Sequence, residues 1–152
     1  MNTPRHPEDP ARAVQALIAA YEQLRPDTLH ELLALYAEDA HFKDPFNEVS
    51  GRSAIARIFS HMFQVLHLAR FEFVHSAVQG QDAFLTWNFH LQRHAKSAPL
   101  CIHGATHLRL TTQGLVQLHR DYWDAAEELY AKLPLLGALM RTLQRQLRCP
   151  QT

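Results

Sequence analysis

An excess of charge of either sign is missing from this chain. Its 152 residues hold 15 lysines and arginines against 15 aspartates and glutamates, so no global field draws it to nucleic acid or to an acidic partner. Cysteine is scarce. Cys101 and Cys149 form no CxxC pair, and free thiols in a reducing compartment are the expectation. Long apolar runs are absent: none approaches the ~20 residues that cross a bilayer. The first ten residues are polar and proline-rich, without the basic start and apolar stretch of a secretory signal. Repeats and low-complexity tracts are missing as well. These absences predict a soluble, cytoplasmic protein.

What is present fits one domain. A globule of this length buries roughly 70% of the surface its unfolded chain exposes, enough for a core and a modest cavity. Eleven histidines are the one oddity of charge; below about pH 6.5 they make the protein strongly cationic.

Residues 1–10 read as a loose arm. Val14, Leu17, Ile18 and Tyr21 follow helical spacing, and Arg25-Pro26-Asp27 breaks that helix. Asp27 or Thr28 can cap a second helix carrying Leu29, Leu32, Leu33 and Tyr36. A short strand over 41–43 and a loop over 47–51 precede a third helix, 52–67, with Ile55, Phe59 and Phe63 on its buried side. Strand patterns follow. Phe71, Phe73 and His75 share one face; so do Ala83, Leu85, Trp87, Phe89 and Leu91; so do Ile102, Gly104, Thr106 and Leu108. A last strand covers 115–123. A helical region over 125–148 follows, interrupted at Pro134. The layout is α+β, with helices packed on one face of a curved sheet.

Two stretches carry the chemistry. Phe42-Lys43-Asp44-Pro45 places a carboxylate before a proline, which biases Asp44 toward an extended backbone. Asp-Pro is also a common way to open a turn. His119-Arg120-Asp121-Tyr122-Trp123-Asp124 holds the second. Alternation leaves its strand open. Either His119, Asp121 and Trp123 face inward, or Val116, Leu118, Arg120 and Tyr122 do. A carboxylate in an apolar pocket has a raised pKa and can act as a base near neutral pH.

Leu35-Tyr36-Ala37-Glu38-Asp39-Ala40, then Phe42-Lys43-Asp44-Pro45 and Gly51 with a helix behind it, resembles the nuclear transport factor 2-like superfamily. Its SnoaL-like and ketosteroid-isomerase-like members are the most similar, over residues 11–124. The resemblance implies a cystatin-like cone: a strongly curved antiparallel sheet wrapped on three N-terminal helices, with a cavity at the open end. Residues 125–152 would add a C-terminal helical extension. It implies that Asp44 stands where isomerases carry their proton-shuttling base, and Tyr36 where some members carry a tyrosine beside that site. The isomerase oxyanion hole takes a first-helix tyrosine and a protonated aspartate. Here Leu17 stands at the first place, with Tyr21 one turn on, and Thr106 at the second. The 119–124 stretch is similar to the last strand of limonene epoxide hydrolases and polyketide cyclases, which use an aspartate there. That similarity favours His119, Asp121 and Trp123 facing inward. The hydrolases' Arg-x-Asp pair has no counterpart in His103-Gly104-Ala105-Thr106-His107.

The expected function is therefore binding of an apolar small molecule, with cofactor-free isomerase, cyclase or hydrolase chemistry through Asp44 or Asp121, assisted by His119 or Tyr36. Leu17, Tyr21, Phe46, Phe59, Phe63, Trp87, Phe89, Thr106 and Trp123 are the candidate substrate-binding residues. A non-catalytic carrier or sensor of a lipid-like ligand, or a protein-interaction adaptor, is the alternative. No metal site is expected from His90, His94, His103 and His107, because residues four apart on one strand lie ~13 Å apart. Superfamily members often pair through the outer sheet face, so a homodimer is expected. The stripe Leu136, Leu139, Met140, Leu143 and Leu147, flanked by Arg141, Arg145 and Arg148, packs on core or partner, closes the cavity mouth, or gives weak peripheral membrane contact.

Overall fold

The computed structural model describes residues 9–125. The chain divides into two compact units, residues 1–122 and 123–152, and every helix and strand below lies in the first. The expected C-terminal helix and most of the N-terminal arm fall outside the described residues.

Helix α1 (Pro10–Glu22) starts where the sequence allows it to: Asp9 accepts the Ala11 N–H at 3.1 Å, and Pro10 takes the first helical position. Its buried residues, Val14, Leu17 and Tyr21, lie on one face. Helix α2 is short (Leu29–Ala34) and buries Leu29 and Leu32. Tyr36 was expected on this helix. It opens strand β1 (Tyr36–Lys43) instead, and the expected three-residue strand is eight residues long. The expected loop contains strand β2 (Glu48–Ser50), which pairs back onto β1. Gly51, at φ 92°, turns the chain from β2 into α3 (Arg52–Val65); that backbone conformation favours glycine.

Four strands complete the first unit among the described residues: β3 (Leu68–Gln79), β4 (Asp82–Gln92), β5 (Leu100–Leu110) and β6 (Val116–Tyr122). They join β1 and β2 in one open sheet of order β2-β1-β6-β5-β4-β3. Neighbours are antiparallel except β1 and β6, which run parallel. α1 packs on β3, and α3 on β1 and β2. Leu17, Leu32, Ile55, Leu85 and Leu108 are among the fully buried side chains, each contributing about 1.5–3 kcal/mol by burial.

Bulges decide which residues point inward. In β3, Phe73 pairs with Trp87 but His75 with Thr86, so Val74 is the extra residue. The slip moves His75 onto the outer face beside Thr86; period-2 reading had placed it with Phe71 and Phe73. In β6, Leu118 pairs with Arg109 but Val116 with Leu110, so Gln117 is extra. Val116 and His119 are both buried as a result, which no unbroken alternation permits. Bulges also bend the strands that carry them, and the sheet is curved accordingly. Among the described residues no helix is long and apolar enough to cross a membrane.

Candidate functional site

A chain of hydrogen bonds crosses the inner face of the sheet. It begins on α1, where the Tyr21 hydroxyl lies 2.6 Å from the Tyr36 hydroxyl of β1. Tyr36 lies 2.7 Å from His119 Nδ1 on β6. His119 Nε2 lies 2.9 Å from Asp121 Oδ1. From the other side, Trp87 Nε1–H on β4 donates to Thr106 Oγ1 at 2.8 Å. The Thr106 hydroxyl on β5 donates to the same Asp121 Oδ1 at 2.5 Å. Two residues of this chain, Tyr21 and Trp87, were expected as substrate-binding residues, Trp87 as an aromatic wall.

The fold explains each placement. The Gln117 bulge re-aims β6, so His119 and Asp121, two residues apart, share the inner face. Parallel pairing of Phe42 with His119 brings β1 alongside, and the two rings lie 4.7 Å apart. Thr106 pairs directly with Asp121. Trp87 pairs with Gly104, and its ring lies on that glycine: a Cβ there would stand 2.2 Å from a ring carbon. Gly104 therefore lets the indole lie flat and reach Thr106.

Burial sets the electrostatics. Tyr36, His119 and Thr106 are buried, and the Asp121 side chain is 17% exposed. Burial pushes the Tyr36 ionisation far above the ordinary phenol range. Burial does the same to Tyr21, and the neighbouring Tyr36 and the Asp121 charge add to it. Both phenols stay protonated and can donate. At Asp121, both donors meet Oδ1; Oδ2 makes no hydrogen bond to any of the described residues.

Asp44 is placed differently. It stands one residue past the β1–β6 ladder, whose last pair is Lys43 with Arg120, so the two aspartates end neighbouring strands. Its oxygens are turned into its own turn. Oδ1 accepts the N–H groups of Phe46 (2.7 Å) and Asn47 (2.6 Å), and Asn47 Nδ2 donates to Oδ1 at 3.1 Å and to Oδ2 at 3.0 Å. The Asp-Pro turn and the carboxylate are thus one structure.

The wall residues divide. Phe59 lies edge-on to Tyr21 and Phe42, and Phe89 stacks on Phe71 at 4.5 Å. Leu17 is buried in the core, and Phe63 packs against it half-buried. Phe46 is exposed at 55%. Trp123 follows the end of β6, in the second unit. On the outer face the histidines have partners: His90 with Glu72, His107 with Asp82, and His103 with Asn88. The His90 contact lowers the Glu72 pKa, and the His107 contact lowers that of Asp82.

Sequence reasoning had no signal for the Tyr21–Tyr36 contact. The two phenols come from different elements, and Tyr36 had been read as helical. The pairing of Thr106 with Asp121 was hidden too: counting back from the β5–β6 turn, where Leu110 meets Val116, sets Arg120 opposite Thr106, and the Gln117 bulge moves the partner to Asp121.

Known structures share this arrangement of elements. A hypothetical protein with a ketosteroid isomerase-like fold from Catenulispora acidiphila DSM 44928, in complex with trimethylamine, is 19% identical with a TM-score of 0.68, over 88% of this chain and 96% of that one. TerC co-crystallised with polyporic acid is 15% identical with a TM-score of 0.67, over 78% and 95%. An LEH-like epoxide hydrolase of M. tuberculosis is 17% identical with a TM-score of 0.64, over 91% and 94%. At such identities the likeness is one of fold. No curated protein matches the chain in sequence. The profile of the SnoaL-like domain matches residues 14–119, which is most of the chain and spans the hydrogen-bonded residues from Tyr21 to His119. The protein belongs to the SnoaL-like family.

Proposed function

We propose that the protein binds a small, largely apolar molecule against the inner face of its sheet and performs acid–base chemistry on it, with Asp121 as general base. The reaction is of isomerase, cyclase or hydrolase type and needs no cofactor. One observation carries the reading. Asp121 is mostly buried, its Oδ1 is held by two donors, and its Oδ2 is free of protein partners among the described residues. A base must be fixed in direction and yet keep a lone pair for the proton it takes. The small molecules held by the Catenulispora protein and by TerC, and the epoxide hydrolase likeness, support a small-molecule site.

The test is a turnover screen of apolar epoxides, enones and polycyclic carbonyl compounds, read by mass spectrometry. Asp121→Asn keeps the shape and the accepting Oδ1 but removes the base, and is expected to lower kcat by about 10²–10⁴-fold. Unchanged turnover in that variant would sink the reading.

One observation favours a second reading, a non-catalytic carrier. Asp44 spends its oxygens on its own turn, so the second carboxylate is not poised to share proton transfer. Tight ligand binding without turnover, unaltered in Asp44→Asn, would support it. We also propose that two copies pair through the outer face, where Phe84 (52%) and Tyr122 (49%) are exposed. A monomeric mass by sedimentation would remove that proposal.

A further inference from the structure

The role given to Asp121 leaves two buried phenols without a task. Buried hydroxyls need partners, and an account of donors and acceptors shows what these two do. Trp87 Nε1–H can only donate, so Thr106 Oγ1 accepts from it and spends its own hydrogen on Asp121 Oδ1. An ionised carboxylate only accepts. His119 Nε2, 2.9 Å from that oxygen, therefore carries a hydrogen. In a neutral imidazole Nδ1 is then an acceptor. Tyr36 donates to it at 2.7 Å, and the Tyr36 oxygen accepts from Tyr21 at 2.6 Å. Every donor is satisfied, and the hydrogens run from both ends toward the carboxylate.

A charged imidazolium breaks this order. Its Nδ1–H would donate to Tyr36, and Tyr36 would donate to Tyr21. The Tyr21 hydrogen would then have no acceptor among the described residues, in a setting formed by the edges of Phe59 and Phe71 and the tilted ring of Phe73. An orphaned buried donor is costly. The titratable groups facing His119 are Tyr36 from β1, Tyr21 from α1 and Asp121 from its own strand; Arg52 Nε donates to the Tyr36 backbone carbonyl at 2.6 Å, and among the described residues no cationic side chain other than His119 itself is bonded to the side chain of any of the three.

We propose that Tyr36, backed by Tyr21, is a positioning residue that fixes His119 as the neutral Nε2–H tautomer, so that His119 donates to Asp121 Oδ1 and leaves Oδ2 as the basic atom. The inference rests on the reading of Asp121 as the base only for its catalytic consequence. The tautomer itself stands or falls without any substrate.

The experiment is nitrogen NMR of the full chain labelled at histidine, with the His119 signals assigned by their loss in His119→Asn. At neutral pH, Nε2 is expected as the protonated nitrogen and Nδ1 as the bare, hydrogen-bonded one. An imidazolium, or a hydrogen on Nδ1, overturns the proposal. Tyr36→Phe removes the donor, so the Nδ1 resonance should move toward that of a free ring nitrogen and both tautomers should appear. An unmoved resonance in a folded Tyr36→Phe protein also overturns it. Should that variant not fold, Tyr21→Phe is the second arm. It removes the hydrogen given to Tyr36, and a weaker shift of Nδ1 in the same direction is expected; no shift counts against the relay. Once a substrate is known, Tyr36→Phe should lower kcat by about tenfold, the loss of one ordinary hydrogen bond, with the acid limb of the pH profile displaced and KM unchanged. An unaltered profile would leave Tyr36 a packing residue.

Discussion

Replacing Thr106 by valine tests the hydrogen-bond chain at its narrowest point. Valine keeps the shape of threonine and its branched packing but has no hydroxyl. Two bonds vanish together: the one Thr106 accepts from Trp87 Nε1–H at 2.8 Å and the one it donates to Asp121 at 2.5 Å. Trp87 is 5% exposed and Thr106 3%, so water does not replace the lost acceptor. Leaving the indole N–H unpaired costs about 1–3 kcal/mol. Asp121 keeps His119 and some solvent, so its loss is discounted to about 1 kcal/mol. The sum is about 2–4 kcal/mol. With a urea m-value of about 2 kcal/mol/M, that lowers the unfolding midpoint by roughly 1–2 M at unchanged m. Thr106→Ser separates the causes. It keeps the hydroxyl and loses one methyl, worth about 0.5–1.5 kcal/mol. Trp87→Phe with Thr106→Val removes both partners, and the double variant should be less damaged than the sum of the two singles. Urea unfolding followed by circular dichroism checks all four proteins. If Thr106→Val unfolds within about 0.5 kcal/mol of the parent, or if serine is as damaging as valine, the bonded chain is not what holds these side chains.

Gly104→Ala sets a methyl within 2.2–2.8 Å of three Trp87 ring atoms; the ring must shift, at about 1–3 kcal/mol, and the near-ultraviolet dichroism of the indole should change. Asp44→Ala removes the acceptor for two backbone N–H groups of the β1–β2 turn and should cost about 1–2 kcal/mol in chemical unfolding. Alkaline stability follows from the buried phenols. Both have folded ionisations raised above the unfolded value of about 10, so above that pH the unfolded chain binds fewer protons than the folded one. Their contribution is complete below about pH 10 and is lost as pH rises, at about 1.4 kcal/mol per unit for each tyrosine. Tyr36→Phe should flatten that slope in denaturation curves taken between neutral and alkaline pH.

Much of the fold is legible because its signals are local. Val14, Leu17 and Tyr21 keep helical spacing, and the β4 and β5 faces keep strict alternation, as their burial confirms. The misreadings share one cause. Tyr36 completes a helical stripe with Leu29, Leu32 and Leu33, yet pairing with Val116 draws it into a strand; tertiary pairing outweighs propensity over so short a segment. His75 and the two faces of β6 fail for a related reason. Alternation presumes one residue per partner, and the extra residues Val74 and Gln117 break that count. Nothing in the composition of those positions announces a bulge, since neither is glycine.

The β6 bulge ties the core to the chemistry. Before Gln117, Val116 sits in the apolar core, 1% exposed, and its N–H donates to Leu35 O at 2.9 Å. After it, His119 and Asp121 occupy the same inner face. The same sequence paired without a bulge could not do both: with Val116 inward, alternation would send His119 and Asp121 to solvent. The outward-going Gln117 side chain donates to Asp39 on β1 at 3.2 Å, and β1 is irregular at the same level. Two neighbouring strands thus depart from regular pairing together, and the departure is what joins Tyr36, His119 and Asp121. Deleting Gln117 leaves only Leu118 between Val116 and His119, so Val116, His119 and Asp121 alternate regularly on the inner face. The antiparallel register with β5 then runs unbroken from Ala105–Tyr122 to Leu110–Val116. The shortened protein is then expected to keep its strand content and the chain of hydrogen bonds and to lose the Gln117–Asp39 contact; His119 ring nitrogens behaving as those of a solvent-exposed histidine would refute this account of the bulge.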